Sequence, residues 1–225
     1  MKKQQLLAGL SMILIVNFTG VSFVTAEDSS LSISAGELAE AALETESPEY
    51  KAMNDQQRIA VISRWAAEEG GFDKELLLLV LPIAERNNAE AQYVMGMIYR
   101  SPSWRKPESG IEQNPTRAHE WFLKAAKQGH SFAAVQAADD FFWGDGAAKD
   151  LDEALRWYEV AAKANDPYAQ RMTGHLYLKR ALTSGNEQDV IKGIEWLQKA
   201  ANNGDEEAKR LLSLINQTKT PSEDR

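Results

Sequence analysis

Three copies of one short pattern constrain this chain more than any other feature. Trp121-Phe-Leu-Lys-Ala125-Ala126-Lys-Gln-Gly129 returns as Trp157-Tyr-Glu-Val-Ala161-Ala162-Lys-Ala-Asn165 and again as Trp196-Leu-Gln-Lys-Ala200-Ala201-Asn-Asn-Gly204. The tryptophans lie 36 and 39 residues apart, a period that belongs to stacked supersecondary units. Seven residues after the second Ala of each pair stands a further Ala, at Ala133, Ala169 and Ala208, and the same step back from Ala91 reaches Ala84. A degenerate earlier unit is therefore expected ahead of the clear ones.

Counted from these anchors, the opening helices read Ala91…Gly96…Tyr99, Ala133…Ala138…Phe141 and Ala169…Gly174…Tyr177. A small residue at +5 lets the neighbouring helix approach closely, and an aromatic at +8 fills space between successive pairs. In the second helix, Trp lies four residues before the Ala pair and three after Ala118, Ala154 or Gly193, which groups them on one apolar face. Gly129, Asn165 and Gly204 suit the left-handed residue that ends a helix. Each unit is thus an amphipathic hairpin that cannot bury its face alone, and stacking supplies the core.

These residues resemble the Sel-one-like repeats, relatives of the tetratricopeptide repeats. That family pattern has Ala, Gly and Tyr in the first helix, a Gly-x-Gly turn, an acidic residue before the second helix, then Ala, Trp, Lys-Ala-Ala and Gly. The middle unit carries Phe141-Phe-Trp-Gly144-Asp-Gly146, then Asp150, Ala154, Trp157 and Ala161-Ala162. The resemblance covers Asn88 to Ile215 and implies an all-α fold, a right-handed α-solenoid of stacked antiparallel helix pairs. It also implies scaffolding and partner recruitment, with no cofactor.

The pattern divides the chain into repeats at 88–130, 131–166 and 167–205, a capping helix at 206–216 and a polar tail at 217–225 expected to be disordered. Ahead of them, 27–87 holds N-terminal helices, read at 35–45, 54–69 and 73–87, and the degenerate unit. Asp73 is an expected N-cap, and Pro82 an expected kink or break. Two units depart from the pattern. The first replaces the glycine turn by residues 100–114, stretching the Ala91 to Ala133 interval to 42, and the third carries Lys179-Arg-Ala-Leu-Thr-Ser-Gly185-Asn-Glu. Both are expected to form polar, mobile loops at one edge of the array.

Residues 1–26 read as a leader. Lys2 and Lys3 precede an apolar stretch from Leu6 to Val24, and Val24-Thr25-Ala26 offers small residues where a signal peptidase cuts. Cleavage after Ala26 and a periplasmic or secreted destination are expected, with no membrane span afterwards. Loss of the two lysines deepens the net charge from −8 to −10. With no cysteine among 225 residues, disulfides, thiol catalysis and lipid attachment of the bacterial lipoprotein kind are excluded. The acidity disfavours nucleic acid.

No catalytic constellation emerges. His119, His130 and His175 lack the spacing of a helical metal site and read as surface or turn residues, while Asp139-Asp140 and Glu206-Glu207 read as solvated helix faces. No metal site and no catalytic residue are assigned. The informative positions lie opposite the packed face of each first helix. They are Tyr93, Met97 and Arg100 with Glu90; Phe132, Val135, Asp139 and Phe142; and Tyr168, Arg171, His175 and Leu178. With Trp143 they form an inner, concave face that is either a hydrophobic groove for a peptide segment or core between units. Trp104, in the inserted loop, either covers that groove or anchors the loop. The expected function is an exported binding module or adaptor for another protein, with the acidity steering it toward a basic one. One alternative is a periplasmic immunity or inhibitor protein acting on a toxin or lipase. Another is a cell-wall or β-lactam hydrolase, against which the missing nucleophile–base pair weighs.

Overall fold

The structure, a computed structural model, describes residues 12–17, 20–25, 48–68, 70–105 and 109–219. The cleavage site at Ala26, the helix expected at 35–45 and the end of the tail lie outside these residues. Within the leader stretch, strands β1 (Met12–Asn17) and β2 (Gly20–Thr25) pair antiparallel, Met12 opposite Thr25. From residue 48 onward every helix or strand among the described residues is helical, as the repeat pattern requires. The chain forms two compact units: 1–86 with 102–111, and 87–101 with 112–225.

In the first unit, helices α1 (Pro48–Ala52), α2 (Asp55–Glu68) and α3 (Lys74–Glu85) enclose Ile59, Ile62, Val80 and Ile83. Asn54 and Gln57 each accept a hydrogen bond from the other's backbone N–H, both at 2.9 Å, a reciprocal cap that fixes where α2 begins. Asp73 caps α3 as expected, accepting from the Leu76 N–H at 3.0 Å. Pro82 does not break the helix. α3 runs through it to Glu85, and the Arg86 N–H still donates to the Pro82 carbonyl at 3.2 Å. A proline removes one donor, but Ile83 and Ala84, both buried, hold the following turn in the core.

Among its described residues the second unit holds seven helices: α4 (Ala89–Arg100), α5 (Pro115–Lys127), α6 (Ser131–Trp143), α7 (Leu151–Lys163), α8 (Pro167–Ser184), α9 (Glu187–Asn202) and α10 (Glu206–Lys219). Consecutive helices pack in chain order. Three residues suffice to turn from one repeat to the next. Gly129, Asn165 and Gly204 adopt φ of 86°, 65° and 92°, the left-handed exit expected for them. The following His130, Asp166 and Asp205 each cap the next helix, accepting from the N–H of Ala133, Ala169 and Ala208 at 3.2, 2.7 and 2.8 Å. Their own N–H groups close back on the carbonyls of Ala125, Ala161 and Ala200, so both helix ends are satisfied in one turn.

Within each pair, the small residue at +5 is where the helices touch. A Cβ on Gly96 would fall inside the Phe122 ring, and one on Gly174 would sit 2.8 Å from the Gly193 carbonyl and 2.9 Å from Leu197 Cγ. Ala138 and Tyr158 hold the same places in the middle unit, both fully buried. The residue that fills the notch is thus Phe122, Tyr158 or Leu197, the one after each repeat tryptophan, and not the tryptophan itself. Phe122 lies four residues after Ala118 and three and four before Ala125 and Ala126, at the centre of the apolar face. Trp121, Trp157 and Trp196 lie about 100° round and are only half-buried, with Lys124 and Lys199 over two of the rings at 3.9 and 4.0 Å.

Three edges differ from the sequence reading. Residues 179–184 form no loop: α8 continues to Ser184 and α9 begins at Glu187. Arg180 clamps Asp189 with two hydrogen bonds of 2.7 and 2.8 Å, which hold the Asp189 carboxyl below its ordinary pKa, and no glycine falls between Lys179 and Ser184. The final helix extends through Lys219, so residues 217–219 are helical instead of tail. Among its described residues, the insertion in the first repeat carries one 3-10 turn, Pro102–Trp104. In denaturant unfolding, Gly96→Ala should destabilise by about 1–3 kcal/mol, since the added methyl overpacks the Phe122 contact. Gly129→Ala should cost less, because only its positive φ opposes the change and nothing lies within 4 Å of the new methyl; equal losses would show that the notch is not the critical contact.

Candidate functional site

The first helices of the repeats meet along the face predicted to be concave. Tyr93 on α4 stacks on His130 at 4.8 Å and lies 6.4 Å from the Phe132 ring on α6. On α6, Asp139 accepts from the Tyr158 hydroxyl and, at 2.9 Å, from the Tyr168 hydroxyl on α8. Arg171 on α8 reaches Asp205 at 3.0 Å, at the start of α10. Polar and aromatic contacts thus join one repeat to the next where α4, α6, α8 and α10 run side by side.

Of the residues proposed from sequence, these contacts withdraw several. Val135 is buried in the core, and Leu178 packs against Gly193, whose Cβ would sit 2.7 Å from the leucine Cγ. Trp104 anchors the inserted loop in the first unit: it stacks on Phe72 with parallel rings 6.3 Å apart, and its carbonyl accepts from the Phe72 N–H at 2.8 Å. Arg100 is paired with Asp140 and lies 5.3 Å from the Phe122 ring. Met97 and Tyr168 are half-buried against the core cluster. His175 is exposed; partial burial, with Lys179 and Arg171 nearby, keeps its pKa below the ordinary imidazole value.

What stays open is a stripe on α6. Phe132 is 61% exposed and Trp143 69% exposed. They are eleven residues apart, three helical turns, so both fall within about 20° of one line along the helix. Each ends a chain of rings rooted in the core. Phe132 follows Tyr93 and the fully buried Phe122; Trp143 stands edge-on to Phe142 at 4.7 Å, and Phe142 to the fully buried Tyr158 at 6.5 Å. Rings supported in this way are held in place before any partner arrives.

Sequence reading missed a fully buried carboxylate in the array. Asp140 is fully buried, paired with Arg100, and its Oδ2 lies 2.9 Å from His119 Nδ1. The acid read as solvated and the histidine read as a surface residue are instead one inter-repeat clamp, with the His119 ring edge-on to Phe141 at 4.7 Å. The signal was present in the spacing: Asp140 lies three residues after Ala137 and seven after Ala133, on the packed side of α6. No group of three or more His, Asp or Glu side chains suited to a metal occurs among the described residues, and no described helix is long and apolar enough to cross a membrane.

Comparison with known proteins decides the family. The sequence pattern of the Sel1 repeat matches residues 89–130, 132–166 and 167–205, more than half of the chain. The chain belongs to the Sel1 repeat family. Proteins built from Sel1 repeats act as protein-interaction modules. A Sel1 repeat protein from Oxalobacter formigenes has a similar fold, at 27% identity and a TM-score of 0.51 over 65% of this chain. A protective antigen of uropathogenic Escherichia coli with the same repeat fold aligns at 16% identity and a TM-score of 0.46 over 76% of this chain. The alignments span 56% and 44% of those proteins.

Asp140→Ala should destabilise by about 3 kcal/mol or more, because it strands a buried guanidinium and a buried imidazole; thermal unfolding unchanged from the parent would rule out the clamp. Asp139 should behave in the opposite way. Burial raises its pKa above the ordinary carboxylate value, outweighing the two tyrosine hydrogen bonds. A carboxyl whose pKa is raised on folding binds more protons in the folded chain, so stability falls as pH rises from its unfolded value through its folded one. Asp139→Asn should therefore be at least as stable as the parent at pH 7, the hydroxyl bonds surviving on the amide oxygen. A clear loss in urea unfolding at that pH would contradict it.

Proposed function

We propose that the protein is an exported, non-catalytic binding module that takes a segment of another protein along the exposed stripe of α6. The pair Phe132 and Trp143 carries this reading: two large rings left open on one line, each braced from behind by aromatic neighbours that end in the core. Large anchored aromatics are the side chains that dominate binding energy at protein interfaces. Export is supported by Lys2, Lys3, the apolar run to Val24 and the small residues before Glu27. A basic partner is supported by the net charge of −8 for the whole chain, which steers encounter toward positive surfaces.

An inhibitory role, binding an exported toxin or lipase and blocking it, is the finer form of this reading, and the same acidity supports it. The test uses the mature form, residues 27–225, beside a Phe132→Ala, Trp143→Ala double variant. Both side chains are exposed, so the variant should unfold within about 0.5 kcal/mol of the parent. It should lose the partner that the parent captures from its own cell envelope. Equal capture by both would overturn the site, and an assay of the captured protein with and without stoichiometric module would separate inhibitor from adaptor.

A further inference from the structure

Between the two open rings of α6 lies a carboxylate with no ion-pair partner among the described residues. Phe132, Asp139 and Trp143 are separated by seven and four residues, which sets all three on one stripe with Asp139 about 10 Å along the helix from Phe132 and about 6 Å from Trp143. Both tyrosine hydroxyls, of Tyr158 and Tyr168, donate to the same oxygen, Oδ1. Oδ2 has no donor among the described residues and is not one of the enclosed unpartnered atoms, so it opens to the surface. No Lys, Arg or His forms an ion pair with Asp139 among the described residues, whereas its neighbour Asp140 has Arg100 and His119. Two phenols orient the carboxylate, and Arg100, the cation that acts on it from a distance, is itself paired with Asp140.

We infer that the segment bound on α6 carries a lysine or arginine set between two apolar side chains, with its cation seated on Asp139 and its apolar groups on Phe132 and Trp143. This rests on the binding role proposed above and specifies its partner. A half-buried carboxylate with one oxygen free is a charge-assisted acceptor for an ammonium or guanidinium. An extended chain advances about 3.3 Å per residue. The distances along α6 therefore correspond to an apolar residue, a basic residue about three positions on, and a second apolar residue about two beyond, read in either chain direction. Raised by burial, the Asp139 pKa is consistent with a group that gains an ion-pair partner only when a segment is bound.

A displayed library of random linear twelve-residue peptides, selected on the mature chain, tests this. The expected consensus is a Lys or Arg between aromatic or aliphatic residues at about those spacings. The leading peptide, synthesised and titrated, should bind Asp139→Asn about tenfold more weakly or worse, the usual effect of removing a charged hydrogen-bond partner. It should lose a similar factor when its own basic residue becomes Met. Asparagine keeps an oxygen for the tyrosine hydroxyls, and a far-UV dichroism spectrum matching the parent confirms that the variant is folded. Peptides that depend on Phe132 and Trp143 but lack a basic residue, or bind Asp139→Asn equally, would overturn this inference and leave the proposed face intact. A consensus rich in acidic residues would also overturn it. Peptides that bind the Phe132→Ala, Trp143→Ala variant as well as the parent, or no enrichment at all, would overturn both.

Discussion

The repeat unit depends on one close approach, made three times: a small residue in the first helix of a pair receives a large apolar side chain from the second. Gly96 and Phe122, Ala138 and Tyr158, and Gly174 with Leu197 are the three instances. Because the notch has no Cβ or only one methyl, the helix axes come close enough for the ring or leucine to be wholly enclosed, and dispersion contacts surround it on every side. In the third pair both helices carry glycine at the crossing, Gly174 and Gly193, and their backbones nearly touch. No disulfide is available to this chain, so these contacts and the capped turns between repeats hold the array.

Once the notches fix the pairs, polar groups fix how one pair meets the next. Arg100, Asp140 and His119 form a buried tie between the first repeat and the second; Asp139, Tyr158 and Tyr168 do the same between the second and third; Arg171 and Asp205 continue it to α10. A buried ion pair contributes little net stability, but breaking one is expensive, so such ties select one arrangement of the stack over others. The adjacent acids Asp139 and Asp140 show how far 100° of helix rotation separates two roles. One carboxylate is neutralised inside the stack, and its neighbour faces the open stripe with one oxygen bonded and one free.

Most of the fold was legible because a repeat writes its packing three times. The left-handed exits at Gly129, Asn165 and Gly204, the buried anchors Ala91, Ala133, Ala169 and Ala208, and the N-cap at Asp73 all follow from local rules that a single chain segment satisfies by itself. The sequence pattern places the repeat tryptophans on the apolar face of the second helix and names no partner for the notch. Tryptophan is the most conspicuous side chain of the motif, yet the residue after it lies at the centre of the Ala118, Ala125 and Ala126 face. The insertion in the third repeat reads as a loop for a different reason. Lys179 to Ser184 is polar enough for a loop, and its helical state is secured by Arg180 meeting Asp189 on the next helix.

By itself, the sequence determined that the chain would build helix pairs, where each would begin and end, and which residues would be too small to keep neighbours apart, since these follow from periodicity, capping chemistry and residue size. Only tertiary structure decided which of the inner-face side chains remain available. Tyr93, Val135, Phe142 and Leu178 look alike in a helical projection to Phe132 and Trp143, but burial depends on what the adjacent helix brings opposite each one. Gly193 admits Leu178 and the rings of Phe122 and Tyr158 draw Tyr93 and Phe142 inward, whereas among the described residues no side chain covers most of Phe132 or Trp143 at the two ends of α6. Availability for a partner is what packing leaves over, and a pattern along one helix does not contain it.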